Sequence, residues 1–288
     1  MTPWRALTVA LAWLACAGPA AAQEAVASGE YLVHAGGCVS CHTAPGGTAF
    51  AGGRALATPF GTFYSPNITP DPDTGIGRWT DAQFLRALRA GVRPDGAYYF
   101  PVFPYTSFTN ISDADALAIK AYLFSLPPMQ QASRENDVWF PFSWRFLQLG
   151  WRTLYFTPGP FRADPSHDAT YNRGAYLVTA LSHCGECHTP RNMFGAAKPS
   201  MALAGAPDGP DGHPVSNITP DRATGIGQWD SQDIVDVLRR GRTPEETTVK
   251  GAMREAVQDG LKFLTEADMQ AIAAYLLAQQ PVVNKIGG

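Results

Sequence analysis

The chain has 288 residues, 45% of them hydrophobic, and a formal net charge of −3 at pH 7. A slightly acidic chain without a run of Lys or Arg is not expected to bind nucleic acid. Beyond the first residues, no stretch is long and apolar enough to cross a bilayer, so we expect a soluble or peripherally attached protein of one large or two small domains.

Residues 1–22 are predicted to be a signal peptide that is cleaved near Ala22. Arg5 precedes an apolar run of about a dozen residues, and small residues follow up to Ala22. The alternative is a membrane anchor, but the run is shorter than the ~20 residues that a span needs. We therefore expect export to the periplasm.

Three helices are predicted along the first half of the chain. The first covers 28–36 and has Ser28 as its N-cap candidate. The second runs from Thr80 to Gly91, and the third from Ser112 to the prolines at 127–128. Because strand signals are few, the predicted fold class is all-α.

The sequence repeats itself. "GEYLVHAGGCVSCHT" (29–43) matches "GAYLVTALSHCGECHT" (174–189), and "SPNITPDPDTGIGRWT" (65–80) matches "VSNITPDRATGIGQW" (215–229). This pattern predicts two tandem domains of similar fold, 23–130 and 169–288, joined by a connector at 131–168. We call these two domains the first and the second lobe.

Each lobe carries one Cys-x-x-Cys-His motif. Zinc would require further converging ligands, and a thioredoxin-like dithiol needs a preceding strand but no histidine. Attachment of haem c uses all three residues, because the thiols add to the two vinyl groups and the histidine binds the iron. We therefore expect two covalently bound haem c groups, one in each lobe. The residues that would hold them are Cys38, Cys41 and His42 in the first lobe, and Cys184, Cys187 and His188 in the second.

With these motifs the chain resembles the two-haem members of the class I cytochrome c family, especially the multihaem cytochrome c subunits of bacterial periplasmic alcohol and gluconate dehydrogenases. The resemblance rests on "GEYLV…CVSCHT", "SPNITPDPDTGIGRWT", "AIKAYLFSLPP", "NRGAYLV…CGECHTPRN" and "NITPDRATGIGQW". It implies two cytochrome c domains that transfer electrons from a periplasmic or membrane-associated dehydrogenase to a respiratory acceptor.

The repeated "NIT" and "TGIG.W" segments are predicted to surround the haem. Asn67 and Asn217 would lie in a loop folded over a haem edge, although the triplet also fits a glycosylation sequon. Trp79 and Trp229 would contact the haem or its propionates, with a core position at a helix start as the alternative.

The two lobes differ at the predicted sixth ligand. In the resembling family a methionine from a loop before the last helix completes the coordination, which implies Met253 in the second lobe. The first lobe reads "FPVF" (100–103) at the matching place. We hypothesise that the first haem has no strong distal ligand, because the remaining candidates are all weak: Tyr98, Tyr99, Tyr105 and Lys120.

The connector contains nine aromatic residues within 136–161. We expect it to pack across both lobes, with docking of a dehydrogenase or peripheral membrane contact as the alternative. An open first haem also allows a second function, a dihaem enzyme that is peroxidase-like or oxidises sulfur compounds. The apolar Phe100, Val102 and Phe103 offer such an enzyme no acid–base group, which leaves Arg93 and Asp95 nearby.

Overall fold

The computed structural model describes residues 19–286 and is mostly helical. The predicted signal peptide therefore lies largely outside the described residues, and its cleavage near Ala22 stays a prediction. The helices are α1 Pro19–Ala35, α2 Cys38–Cys41, α3 Asp81–Ala90, α4 Tyr105–Phe108, α5 Asp113–Ser125, α6 Leu147–Tyr155, α7 Ala169–Tyr176, α8 Gly185–His188, α9 Ser231–Arg240, α10 Gly251–Asp259 and α11 Glu266–Leu277. A π-helical turn, Leu177–Leu181, extends α7, and 3₁₀ turns cover Pro199–Met201, Pro210–Gly212 and Leu261–Phe263.

Two of the three predicted helix starts are confirmed. Thr80 caps α3 in a capping box with Gln83, and α3 ends at Gly91 in the left-handed conformation. Ser112 caps α5 through the backbone N–H of Asp115. The prediction for Ser28 is wrong, because this residue lies inside α1, which already begins at Pro19.

The all-α prediction needs a correction, because strands from the first lobe and the connector form a small antiparallel sheet. Its strands are β1 Ala55–Thr58, β2 Gly61–Tyr64 and β3 Asp137–Val138, with β2 in the centre. A Cβ at Gly61 would lie 2.3 Å from the carbonyl oxygen of Asp137, so only glycine lets β3 approach. The fold is therefore mostly helical with one three-stranded sheet.

Within each lobe, the first and last helices cross at a glycine. Helix α1 packs on α5, and α7 packs on α11. A Cβ at Gly29 would lie 1.9 Å from the carbonyl oxygen of Ala118, and a Cβ at Gly174 would lie 1.9 Å from that of Ala271. The glycines thus allow the close helix crossing that brings the ends of each lobe together.

The two lobes share one hydrophobic core and exchange equivalent contacts. The Tyr31 hydroxyl of the first lobe donates to Asp268 and accepts from the N–H of Thr265, the N-cap of α11. The Tyr176 hydroxyl of the second lobe likewise donates to Asp115 and accepts from the N–H of Ser112, the N-cap of α5. This reciprocity fixes the lobes face to face. No helix within 19–286 combines the length and apolar character that a membrane span requires.

Candidate haem-binding site

The first attachment motif forms one helical turn. Gly37 enters it with φ 59°, and α2 then places Cys38 and Cys41 three residues apart, on the same side of the turn. His42 follows at the C-terminal end. Its Nδ1 lies 2.8 Å from the carbonyl oxygen of Pro66 and donates to it, which leaves Nε2 with its lone pair.

The second attachment motif repeats this geometry. Cys184 precedes α8, which contains Cys187 and His188. The Nδ1 of His188 lies 2.8 Å from the carbonyl oxygen of Ser216. Both carbonyls belong to residues directly before the "NIT" triplets, so each "NIT" loop orients the histidine of its own lobe. An imidazole held through Nδ1 presents Nε2 to a metal, as axial haem ligands do.

The protonation of these groups distinguishes haem attachment from a redox dithiol. Burial raises the pKa of the Cys38 and Cys184 thiols to about 12, and the cysteines form no disulfide. A redox dithiol needs a lowered thiol pKa. Burial lowers the pKa of His42 and His188, so both imidazoles are neutral and able to bind iron. Within 19–286, no three His, Cys, Asp or Glu side chains converge as a metal site would require.

The thiols combine close protein surroundings with access from solvent. Burial raises their pKa values, yet Cys41 is exposed and Cys38, Cys184 and Cys187 are only half-buried. The donor set, the free imidazole nitrogens and this access fit covalently attached haem c in each lobe.

The "NIT" asparagines organise their loops. The Asn67 amide donates to the carbonyl oxygen of Met129 at 2.7 Å, and its oxygen accepts from the N–H and hydroxyl of Thr69. Asn217 makes the same bonds to Val282 and Thr219. Each asparagine therefore ties its loop to the segment that leaves the lobe. Both are buried, 2% and 3% exposed, which argues against glycosylation; a contact with the haem edge stays a prediction.

The two predicted tryptophans occupy equivalent, half-buried positions. Trp79 precedes the N-cap of α3, Trp229 precedes the N-cap of α9, and both pack against the core. Among the described residues, neither indole N–H has a hydrogen-bond acceptor. Contact with a haem propionate would supply one, and this contact stays a prediction.

The distal segments place Met253 and Phe103 at matching positions. Met253 lies in the first turn of α10 and packs against the core, whereas the sequence predicted it in a loop. Phe103 also packs against the core, but it lies in a turn in which its N–H donates to the carbonyl oxygen of Phe100. Met253 can supply a thioether to iron, and Phe103 cannot.

The interface brings the two attachment turns towards each other. Ser40, between the first two cysteines, donates to Asp259 of the second lobe at 3.4 Å. Glu186, between the second two, accepts from Thr106 and Ser107 of the first lobe at 2.9 and 2.8 Å. Sequence reasoning missed this role of the residue inside each motif, although a charged residue at one of the two matching positions was a signal.

Glu186 is a carboxylate enclosed between the two cysteines of the second motif. Burial alone would raise its pKa, but the Arg191 guanidinium, whose Nη2 lies 2.5 Å away, lowers it below its usual range. Burial raises the pKa of the Cys187 thiol to about 11, and Glu186 and Cys41 of the first lobe add to this effect. The second motif thus contains a carboxylate paired with Arg191, whereas the first motif has the uncharged Ser40 at the matching position.

The connector has a packed side and an exposed side. Arg145 donates to the carbonyl oxygen of Tyr98 at 2.9 Å, and the Trp151 indole donates to that of Phe194 at 2.9 Å, so the connector contacts both lobes as expected. Packing is not its whole role, however, because a row of large apolar side chains stays exposed. These are Trp139, Phe140, Phe142, Trp144, Phe146, Leu149 and Leu154, between 41% and 74% exposed, and we call them the connector patch.

Comparison with known proteins agrees with this geometry. The cytochrome c family matches residues 26–127. The diheme cytochrome c-type protein of Cereibacter sphaeroides is 42% identical over 254 residues, which cover 86% of this chain and 83% of that protein.

Other relatives are considerably longer. A nicotinate dehydrogenase subunit of Pseudomonas putida is 44% identical over 86% of this chain but only 21% of its own length. The gluconate 2-dehydrogenase cytochrome c subunit of Pantoea cypripedii is 39% identical over 92% of this chain and 62% of its own. The chain thus spans less than two thirds of these two dehydrogenase subunits. From its attachment turns and from the relative it matches over most of both lengths, we conclude that the chain belongs to the cytochrome c family.

Proposed function

We propose that this chain is a periplasmic dihaem cytochrome c that carries electrons from a dehydrogenase to a respiratory acceptor. The observation that carries the proposal is the pair of equivalent attachment turns on one reciprocal interface. Each turn offers two thiols and one oriented imidazole, so the chain would hold two haem c groups.

The residues of each lobe would divide the work of holding the cofactor. Cys38, Cys41, Cys184 and Cys187 would form the thioether links, and His42 and His188 would bind iron through Nε2. The carbonyl oxygens of Pro66 and Ser216 hold the two imidazoles in the required tautomer. Bound haem c supplies a one-electron iron couple.

The lobe interface would keep the two redox centres at a constant separation. Tyr31 and Tyr176 each bridge to the N-terminus of the last helix in the opposite lobe. Arg54 of the first lobe adds an ion pair to Glu255 of the second at 2.7 Å. These contacts join the two lobes, and a fixed arrangement of the lobes supports electron exchange between them.

The names of several relatives suggest the electron donor. Those relatives are named as subunits of nicotinate, alcohol, gluconate and fructose dehydrogenases. The connector patch is an exposed apolar surface of the kind that docks partners or meets a membrane surface. We propose that 136–161 contacts the dehydrogenase, the membrane surface or both.

Respiration of the producing organism tests this function. The gene is deleted, and oxygen uptake is measured with a panel of alcohols, aldonic acids, ketoses and N-heteroaromatic acids. We expect the deletion strain to lose oxygen uptake with one substrate, while its dye-linked dehydrogenase activity on that substrate persists. This combination would place the lesion after the dehydrogenase.

Complementation supplies the control. The wild-type gene should restore oxygen uptake, and a gene encoding Cys184→Ala and Cys187→Ala should not. Unchanged respiration on every substrate, together with turnover of peroxide or thiosulfate by the purified holoprotein, would contradict the electron-carrier function. It would favour a dihaem enzyme instead.

A further inference from the structure

The distal segments of the two lobes can be aligned from their backbones. The N–H of Tyr99 donates to the carbonyl oxygen of Gly91 at 2.8 Å, and the N–H of Val249 donates to that of Gly241 at 2.8 Å. Both glycines end a helix in the left-handed conformation. The constant offset of 150 residues makes Phe103 the counterpart of Met253.

Phe103 belongs to an aromatic cluster where the second lobe has a thioether. Its ring centroid lies 5.0 Å from that of Tyr99 and 5.7 Å from that of Phe108. The Phe108 ring is in turn 5.2 Å from that of His183 in the second lobe. A phenyl ring cannot coordinate iron, so this position supplies no axial ligand.

The segment that follows Phe103 is held in place. Thr106 and Ser107 of α4 donate to Glu186 of the second lobe. The Tyr105 ring covers Gly91, where a Cβ would lie 2.5 Å from it. These anchors hinder a shift that would bring another side chain into the position of Phe103.

The other candidate ligands of the first lobe are held or disfavoured in different ways. Lys120 forms an ion pair with Asp81 at 2.5 Å. The Arg152 guanidinium of the connector lies 4.7 Å from the Tyr98 ring and 5.1 Å from the Tyr105 ring, so both rings pack towards the connector. Burial raises the pKa of Tyr99 to about 12, which disfavours the tyrosinate that iron would need.

We propose that a haem in the first lobe has no protein ligand at its sixth position, and that this position binds a neutral diatomic ligand such as carbon monoxide or nitric oxide in the ferrous state. This ligand site goes beyond electron transfer. Apolar Phe103 and Phe108 disfavour an anion, which would lose its hydration there, but they tolerate a small neutral molecule. The ligand adds without any change in oxidation state.

Carbon monoxide titration of the dithionite-reduced holoprotein tests the proposal. We expect about one carbon monoxide per chain of two haems. The oxidised protein should give one high-spin and one low-spin signal in electron paramagnetic resonance. Two low-spin signals together with no uptake of carbon monoxide would overturn the proposal.

Reciprocal variants identify the position responsible. Phe103→Met should abolish carbon monoxide binding and leave two low-spin haems. The matched variant Met253→Phe should raise binding to about two carbon monoxide per chain. Persistent binding in Phe103→Met, at full haem content, would show that position 103 does not control the site.

Haem content, measured as the pyridine haemochrome, keeps the test decisive if one variant matures poorly. In that case the wild-type stoichiometry and the Met253→Phe variant still decide the outcome. Potentiometric reduction of both haems in the same samples reports on electron carriage separately. The two measurements can therefore contradict the proposed ligand site without contradicting electron transfer, or contradict electron transfer without contradicting the ligand site.

Discussion

The two lobes agree on the proximal side of the predicted haem and differ on the distal side. Each has an attachment turn, a histidine held through Nδ1 and a "NIT" loop tied to its exit segment. At the distal position, the second lobe has Met253 in a helix and the first lobe has Phe103 in a turn. A repeat can therefore keep its attachment residues unchanged while a single position changes the side chain that would be offered to the iron.

The interface shows a second difference, in charge. Tyr31 and Tyr176 make equivalent hydrogen bonds, but Arg173 also donates two hydrogen bonds to Asp268, at 2.8 and 2.7 Å. The position that matches Arg173 in the first lobe is Ser28. Glu186 likewise replaces the uncharged Ser40. At these two positions the second lobe therefore carries a charged side chain where the first lobe has a serine.

The largest effect is expected from removing one attachment motif. Cys38→Ala with Cys41→Ala should halve the haem content, and Cys184→Ala with Cys187→Ala should do the same, because each pair would tether one haem. Pyridine haemochrome spectra per mole of protein measure this, and each double variant is the control for the other. A variant that keeps two haems would contradict the equivalence of the lobes.

The helix crossings should be equally sensitive in both lobes. Gly29→Ala and Gly174→Ala each place a Cβ 1.9 Å from a backbone oxygen, which cannot move as a side chain would. We expect each to lower the free energy of unfolding by about 3 kcal/mol, the upper part of the range for overpacking. Urea unfolding of the holoprotein, followed by circular dichroism, measures the loss.

Gly150 is the matched control for these substitutions. It lies inside α6, and a Cβ there has no atom within 4 Å. Gly150→Ala should raise stability by about 0.5–1 kcal/mol through helix propensity. An unchanged stability in one of the two variants, Gly29→Ala or Gly174→Ala, would contradict the equivalence of the two helix crossings.

Substituting the two interface carboxylates should lower stability by different amounts. Asp268→Asn loses the charged bonds to Arg173 and should lower stability by about 2 kcal/mol at pH 7, whereas Asp115→Asn, whose partner is Tyr176, should lower it by about 1 kcal/mol. Burial raises the pKa of Asp268, but hydrogen bonds from Arg173 and Tyr31 outweigh it and lower the pKa.

The pH dependence follows from that direction. Because the folded-state pKa of Asp268 is below the unfolded value of about 3.9, its contribution is complete above that pH and is lost as the pH falls through the folded-state pKa. The stability difference between wild type and Asp268→Asn should therefore shrink below about pH 4. A constant difference between pH 7 and pH 3 would exclude a role for the charge.

Sequence patterns predicted those features that depend on residues close together in the chain. The attachment turns and the caps at Thr80 and Ser112 each depend on residues within one or two turns of the chain. Ser28 failed because an N-cap pattern does not reveal that α1 begins nine residues earlier, at Pro19. A helix continues through a possible cap when its neighbours also favour helix.

Contacts between distant segments were not predictable in this way. Strand β3 has only two residues and pairs with β2 from far along the chain, so no run of alternating residues marks it. Tyr31 and Asp268 are 237 residues apart, and a buried tyrosine with a partner cannot be told from a core tyrosine by its neighbours. The equivalence of Phe103 and Met253 was approximate in the sequence, and the backbone bonds at Tyr99 and Val249 made it specific.

The smallest effect on stability is expected at the connector patch. Trp144 and Phe146 are 49% and 65% exposed, so Trp144→Ser with Phe146→Ser should change stability by less than about 0.5 kcal/mol each. The same variant should reduce substrate-linked oxygen uptake, since a docking surface loses affinity when its aromatic groups are removed. Val283→Ser, at an apolar residue 75% exposed outside the connector, is the control and should leave respiration unchanged. Equal respiration in both variants would assign the aromatic connector to packing alone.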